Sequence, residues 1–393
     1  MKNQDPSQEH LQSIISLYNA GKLQQALSEA TQMMERFPNS FILYNISGAS
    51  NAALKRFDAA IESYKQALRI KPDYAEVHNN MGSALSDKGD FEGAIESYKQ
   101  ALRIKPDYAG AYYNMGSVMK DKGDFEGAIK SYKQALRIKP DYAGAYNNMG
   151  NALSSKGDLE EAIESYKQAL RIKPDFAGAY NNMANAMKNK GDLAEAIESC
   201  KQALKIKPDY ADAYYNMANA MKDKGDLAEA IDSYKQALKI KPNYASAYYN
   251  MGNALNEKGN PEVAIDSFKQ AIKIKPDYAL AYNNMGNALS SKGDLEGAID
   301  CYNQAIRIKP DYAEGHCNLG AVLQLLNQSE PALASYEKAI SLKKDFNEAI
   351  SGLGLLLLNK GKHSEGLDKL IQGEGSILFS IEKGFSVKSG GKE

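Results

Sequence analysis

The chain has 393 residues, 25% of them charged, yet its formal net charge is only −1 and its pI lies near 6.5. That balance gives no strong field for a polyanion or an anionic bilayer, so neither nucleic acid nor membrane is an expected partner. Three cysteines without shared spacing form neither a disulfide framework nor a zinc site, and the longest apolar run, Leu355 to Leu358, is far too short to span a bilayer.

The opening, MKNQDPSQEH, is polar and lacks the apolar segment of a signal peptide, which with the sparse cysteines makes a reduced, cytoplasmic protein the expectation. Residues 1–6 read as a disordered lead-in. From there the chain keeps time with proline: Pro38, Pro72, Pro106, Pro140, Pro174, Pro208, Pro242, Pro276 and Pro310 are each 34 residues apart. Such a fixed period is the mark of a repeat array, to be recognised before any other pattern. Residues 7–74 are two degenerate repeats expected to cap the array, the first keeping Gly21, Ala26 and Pro38, the second carrying Lys55 where its neighbours have glycine. Residues 75–312 are seven nearly identical units. Residues 313–373 are two divergent units, with Asn327 in place of the glycine and Lys344 in place of the proline.

Ala75 to Tyr108 shows what one unit contains. Ala75, His78, Met81, Gly82 and Leu85 recur at helical spacing, predicting a first helix with one apolar stripe. Gly89 suits a left-handed residue ending that helix, and Asp90 suits the N-cap of a second one. Phe91, Ala94, Ile95, Tyr98, Ala101 and Leu102 form the second stripe, closed by Pro106. Two helices of about a dozen residues are marginal alone, so each hairpin must bury its stripes against the next. In the unit from Ala245, Pro261 falls in the first turn of the second helix, where its missing N–H costs little. In residues 374–393, Ile377, Phe379 and Ile381 alternate with polar residues before Gly384, predicting a strand-like tail or a linker.

The eighth, twentieth, twenty-fourth, twenty-seventh and thirty-second places of each unit are small, small, aromatic, small and proline, as in Gly82, Ala94, Tyr98, Ala101 and Pro106. This pattern resembles the tetratricopeptide repeat. The resemblance covers most of the chain, although Tyr112 and its equivalents, or His78 and His316, replace the family's usual fourth-place tryptophan. It implies an all-α, right-handed α-solenoid, a superhelix of about eleven 34-residue helix-turn-helix units.

One set of residues repeats without a packing reason. Asn80, Asn114, Asn148, Asn182, Asn216, Asn250, Asn284 and Asn318 hold the sixth place of their first helices. Asparagine is a poor interior helix former because its amide competes for the backbone. Asn151, Asn185, Asn219, Asn253 and Asn287 follow at the ninth place, while the fifth alternates Asn79, Asn147, Asn181 and Asn283 with Tyr113, Tyr215 and Tyr249. Because the resemblance puts first helices on the concave side, the polar stripe is expected inside the groove. There side-chain amides could pair with the N–H and C=O of an extended peptide, similar to the asparagine ladder in the repeat array of the protein O-GlcNAc transferases. The alternative is that these residues bridge adjacent repeats. Lys120, Lys188 and Lys222 at the twelfth place would favour acidic ligands slightly. The basic clamp by which some family members hold a terminal carboxylate is missing: Glu76, Gly110, Gly144, Gly178 and Asp212 stand at the second place.

No catalytic constellation emerges. There is no HxH, HExxH or CxxC spacing, Cys200 stands in a packing tyrosine's place, and Cys317 is expected to face the groove. Clusters such as Lys99, Arg103 and Lys105, preceded by Glu92 and Glu96, read as a solvated outer face. The expected function is therefore a protein–protein interaction scaffold without catalysis, cofactor or metal. Its partner would be a protein or peptide, with self-association one option. A second reading makes the chain the substrate-recruiting region of a larger modifying enzyme of glycosyltransferase, sulfotransferase or 2-oxoglutarate oxygenase type. An RNA-binding repeat protein is a third.

Overall fold

A computed structural model describes the backbone of residues 5–380 and 384–389, and the side chains of residues 5–373. The residues described form helical hairpins from end to end, falling into two compact units, Met1–Ile206 and Lys207–Glu393. The first unit holds α1 (Gln8–Asn19), α2 (Leu23–Arg36), α3 (Phe41–Ala53), α4 (Phe57–Ile70), α5 (Ala75–Lys88) and α6 (Phe91–Ile104). It continues with α7 (Ala109–Asp121), α8 (Phe125–Ile138), α9 (Ala143–Lys156), α10 (Leu159–Ile172), α11 (Ala177–Lys190) and α12 (Leu193–Ile206). The second unit holds α13 (Ala211–Lys224), α14 (Leu227–Ile240), α15 (Ala245–Glu257), α16 (Pro261–Ile274), α17 (Ala279–Ser291) and α18 (Leu295–Ile308). It ends with α19 (Ala313–Leu325), α20 (Ser329–Leu342), α21 (Asn347–Asn359), α22 (His363–Glu374) and the antiparallel strands β1 (Gly375–Ser380) and β2 (Gly384–Ser389).

Local chemistry sets these boundaries. Gly89 closes α5 at φ 91°, in the left-handed region that L side chains avoid. The Asp90 carboxylate then accepts from the Gly93 N–H at 2.9 Å and caps α6; Asp124 and Asp294 do the same for Gly127 and Gly297. Lys55 and Asn327 take the same left-handed turn, at φ 59° and 57°, without glycine's freedom. The tail is a hairpin lying against α22, with Ile377 opposite Val387 and Phe379 opposite Phe385. Ile381, which continues the predicted alternation, lies outside the described residues.

The core is a row of tyrosines under glycines. Tyr98, Tyr132, Tyr166, Tyr234 and Tyr302 are almost wholly buried, with Phe268 in the same place of its repeat. A methyl group added at Gly150 would stand 2.6 Å from the Tyr166 ring, so the small eighth place is a requirement of close helix approach. The buried side of a first helix is wider than its predicted stripe: in α5, Val77, Asn79 and Ala84 are buried, whereas His78, Met81 and Leu85 are only half-buried. The reason is that a first helix packs against both its own second helix and the neighbouring repeats. Within each unit every first helix touches the next first helix, while no two second helices among the described residues come so close. Within each unit, first helices thus form the inner row.

Candidate peptide-binding face of the first helices

The fifth, sixth and ninth places do different work. Fifth-place Asn79, Asn147, Asn181 and Asn283 are buried, not part of an open stripe as their polarity suggests. The helix turn that carries them faces the next repeat. There Asn79 Oδ1 accepts from Nδ2 of Asn114 at 3.1 Å, Asn147 Oδ1 from Asn182 at 3.1 Å and Asn283 Oδ1 from Asn318 at 3.0 Å. Where tyrosine holds the fifth place its hydroxyl is the acceptor: Asn148 donates to Tyr113 at 3.0 Å, Asn250 to Tyr215 at 3.0 Å and Asn284 to Tyr249 at 3.1 Å. Asparagine and tyrosine are two solutions to one problem, an oxygen placed to receive the next repeat's amide. The three tyrosines are half-buried, their rings packed at a tilt 4.8–5.0 Å from Tyr142, Tyr244 and Tyr278. Each thus has a packing role as well as the acceptor role.

The sixth-place amides are half-buried. In three helices they also accept from their buried neighbours: Asn80 from Asn79 at 3.4 Å, Asn148 from Asn147 at 3.1 Å and Asn284 from Asn283 at 3.1 Å. Asn80 in the first unit and Asn216 in the second hold the same sixth place of their helices. The ninth place ties the face to the core. The hydroxyls of Tyr166, Tyr234 and Tyr302 donate to Oδ1 of Asn151, Asn219 and Asn287 at 2.8, 2.6 and 2.8 Å. In the repeats with serine at the ninth place, Ser83 and Ser117 share hydrogen bonds with Tyr98 and Tyr132. Burial pushes the Tyr98 and Tyr132 hydroxyls up to about 12, with the serine bonds pulling the other way, so both stay neutral near pH 7. Asn253 faces Phe268, which has no hydroxyl, and accepts from Asn284 Nδ2 at 2.8 Å, as Asn219 accepts from Asn250 at 2.9 Å beside its tyrosine bond. Asn185 is exposed above Cys200, which likewise has no hydroxyl to offer.

Some amide capacity is left over. An asparagine amide offers two N–H donors and an oxygen with two lone pairs. Both Asn250 donors are used, on Tyr215 and, at 2.9 Å, on Asn219, while its Oδ1 has no partner among the described residues. On the next turn of α15 the reverse holds: Asn253 Oδ1 is occupied and its Nδ2 donates to none of the described residues. The oxygens of Asn114 and Asn318, and the donors of Asn151, Asn219 and Asn287, are left over in the same sense.

The remaining candidates are quieter. Lys120 and Lys222 pair with the adjacent Asp121 and Asp223 at 3.0 and 3.1 Å, which cancels most of their field; Lys188 is half-buried beside them in the repeat pattern. His78 and His316 turn Nε2 to the carbonyls of Pro72 and Pro310, at 3.0 and 3.2 Å, tying the helix to the preceding turn. Cys317 is buried with Tyr336, Ala349 and Leu353 instead of facing the groove, because it occupies the fifth place and so points at the next repeat. Burial pushes the Cys317 thiol up to about 11 and the Cys200 thiol up to about 12. The lysine clusters have a local role: Lys105, Lys139 and Lys241 lie 5.1, 5.1 and 4.2 Å over the rings of Tyr108, Tyr142 and Tyr244 in the turns between repeats. Among the described residues, no group of three or more His, Cys, Asp or Glu is placed to hold a metal, and no helix is long and apolar enough to cross a membrane.

Stacked hairpins joined by side-chain bridges, with a polar inner row, define a helical-repeat scaffold. The family described as "TPR repeat" matches residues 51–89, 82–123, 116–157, 150–191, 188–225, 218–259, 252–293 and 286–327, and "Tetratricopeptide repeat" matches 313–346. The chain belongs to the tetratricopeptide repeat family. None of the curated proteins matches it. Among solved structures, MamA is 32% identical over 41% of this chain and 94% of its own, with a TM-score of 0.39. YrrB, described as "a TPR protein with an unusual peptide-binding site", is 24% identical over 48% of this chain and 96% of its own, at 0.40. Yeast Tom70 is 16% identical over 93% and 91%, at 0.47.

Proposed function

We propose that the chain is a non-catalytic, cytoplasmic interaction scaffold that holds an extended peptide segment of a partner protein along its first helices. The observation that carries the reading is the pairing on α15 of an unoccupied oxygen, on Asn250, with an unoccupied donor, on Asn253, about 4.5 Å apart along the helix axis. Their other bonds fix the orientation of both amides, so a peptide backbone meets an acceptor and a donor already in place. The same inter-repeat bonds make each sixth-place asparagine structural as well. The two roles use different atoms of one side chain.

A clean test therefore spares the bridges. Asn→Asp at positions 151, 219 and 287 keeps the oxygen that receives the tyrosine hydroxyl and replaces the outward N–H donor by an acceptor. In capture from lysate, the triple variant should retain wild-type helicity and lose the wild type's partners. Each forfeited bond is worth roughly 0.5–1.5 kcal/mol, so the three together should weaken binding about tenfold or more. An unchanged set of captured proteins would remove the Asn151, Asn219 and Asn287 donors from the binding site.

A further inference from the structure

The helix α19 departs from the other first helices on this face. At the ninth place Ala321 stands where Asn253 and Asn287 do, and at the thirteenth Leu325 stands where Asp223, Glu257 and Ser291 do. Leu325 is 66% exposed, and Leu355, at the ninth place of α21, is 49% exposed. Single exposed leucines are ordinary, but this one borders a cavity. Between α17 and α19 opens a pocket of about 320 Å³ with Ala321, Val322 and Leu325 on its apolar wall, Asn287, Ser290, Ser291 and Asn318 on its polar wall, and Tyr302 also lining it. The Tyr302 hydroxyl is already bonded to Asn287, so it makes no further polar demand. Asn318 Oδ1 and Asn287 Nδ2 retain the capacity described above.

We propose that this pocket takes an aliphatic side chain of the bound peptide, giving the otherwise sequence-blind amide face a point of sequence selection. The inference rests on the reading of that face as peptide-binding. No charged side chain lines the cavity, so a buried charge there would be desolvated without a partner, whereas an aliphatic group covers the exposed Leu325 and Ala321. The flanking amides serve the backbone on either side of that residue. The same places of the repeat make a cavity of about 300 Å³ in the first unit, lined by Asn80, Tyr64 and Ala84, but Asp87 there occupies the position of Leu325. The cavity thus belongs to the repeat geometry, and the thirteenth place sets its chemistry.

A phage-displayed library of random dodecapeptides, selected against the full chain, tests this. Leu325→Asp and the triple Asn151, Asn219, Asn287→Asp variant serve as comparison targets, after circular dichroism shows them folded. Wild type should select peptides sharing one aliphatic position. A synthetic winner should lose roughly tenfold or more in affinity when that residue becomes glycine, and a similar factor on Leu325→Asp. Peptides selected without an aliphatic position, and lost only on the triple variant, would overturn the pocket and leave the amide reading standing. No peptides selected above background would overturn both. A fall in sedimentation mass on Leu325→Asp would show that a second copy of the chain covers the leucine, which also overturns the proposal.

Discussion

Asn318→Ala is the sharpest probe of what holds neighbouring repeats together. Asn283 is 4% exposed, and its Oδ1 accepts from Asn318 Nδ2 at 3.0 Å. Removing the donor leaves a buried carbonyl oxygen without a partner, at a cost of roughly 1–3 kcal/mol. The Asn283 Nδ2 bond to Asn284 survives, so the loss is confined to one oxygen. Removing both partners should cost less than the sum of the single changes, because Asn283→Ala takes away the orphan. A double-mutant cycle over Asn283→Ala and Asn318→Ala, read by urea unfolding at 222 nm, should therefore show a coupling of about 1 kcal/mol or more. Stability in such arrays is close to a sum of repeat and interface terms, so the loss should appear as earlier melting of the repeats from α19 onward. A single variant within about 0.3 kcal/mol of wild type, or strict additivity, would refute the bridge as a structural element.

Lys55→Gly should stabilise the chain by about 1 kcal/mol, since lysine at φ 59° bears a left-handed strain glycine does not; Asn327→Gly should change less, because asparagine tolerates that region. A lower urea midpoint for Lys55→Gly would contradict this. Alkaline stability follows from the buried tyrosines. Tyr98 and Tyr132 are raised by burial from the usual 10 to about 12, so the unfolded chain gives up these protons first. Their contribution is whole below pH 10 and falls by about 1.4 kcal/mol per pH unit per tyrosine as pH rises towards 12. A urea midpoint flat across that range would be the contrary result. Cys200, Cys301 and Cys317 are buried, with thiols raised to about 12, 11 and 11, and should resist a thiol reagent in the native chain yet react at once in denaturant. Fast native labelling would speak against their placement.

The helix limits were legible because glycine, aspartate and proline each act on their own backbone: Gly89, Asp90 and Pro106 need no distant residue to end, cap or stop a helix. The inner face was legible only as a list of places. The fifth, sixth and ninth residues of a helix are neighbours in angle, and nothing in one repeat says which of them the next repeat covers. Asn79 reads as exposed because it is polar, yet it is buried, since its partner Asn114 lies 35 residues on. One signal was available. The fifth place exchanges asparagine for tyrosine, residues alike in little but a hydrogen-bonding oxygen, as a shared acceptor would require. Leu325 escaped notice because a leucine in an apolar-rich helix reads as core, and only the neighbouring repeat determines whether it is covered.

Near-identity between repeats makes each a control for the others, and this bears on how structure and binding share one face. Where the core tyrosine keeps its hydroxyl, as in Tyr234, the ninth-place oxygen of Asn219 receives both that hydroxyl and the next repeat's Asn250; where phenylalanine replaces it at Phe268, Asn253 receives Asn284 alone. The oxygen is filled from inside the protein in both cases, and the next repeat's sixth-place amide is the donor they share. What stays constant is the outward N–H. Selection for packing alone would be satisfied by serine, which serves Tyr98 and Tyr132 at the same place. Asn151 in the first unit and Asn219, Asn253 and Asn287 in the second, each held through its oxygen, therefore present an oriented donor that serine would not supply. That excess over structural need, more than the presence of asparagine itself, is the argument for a peptide on this face.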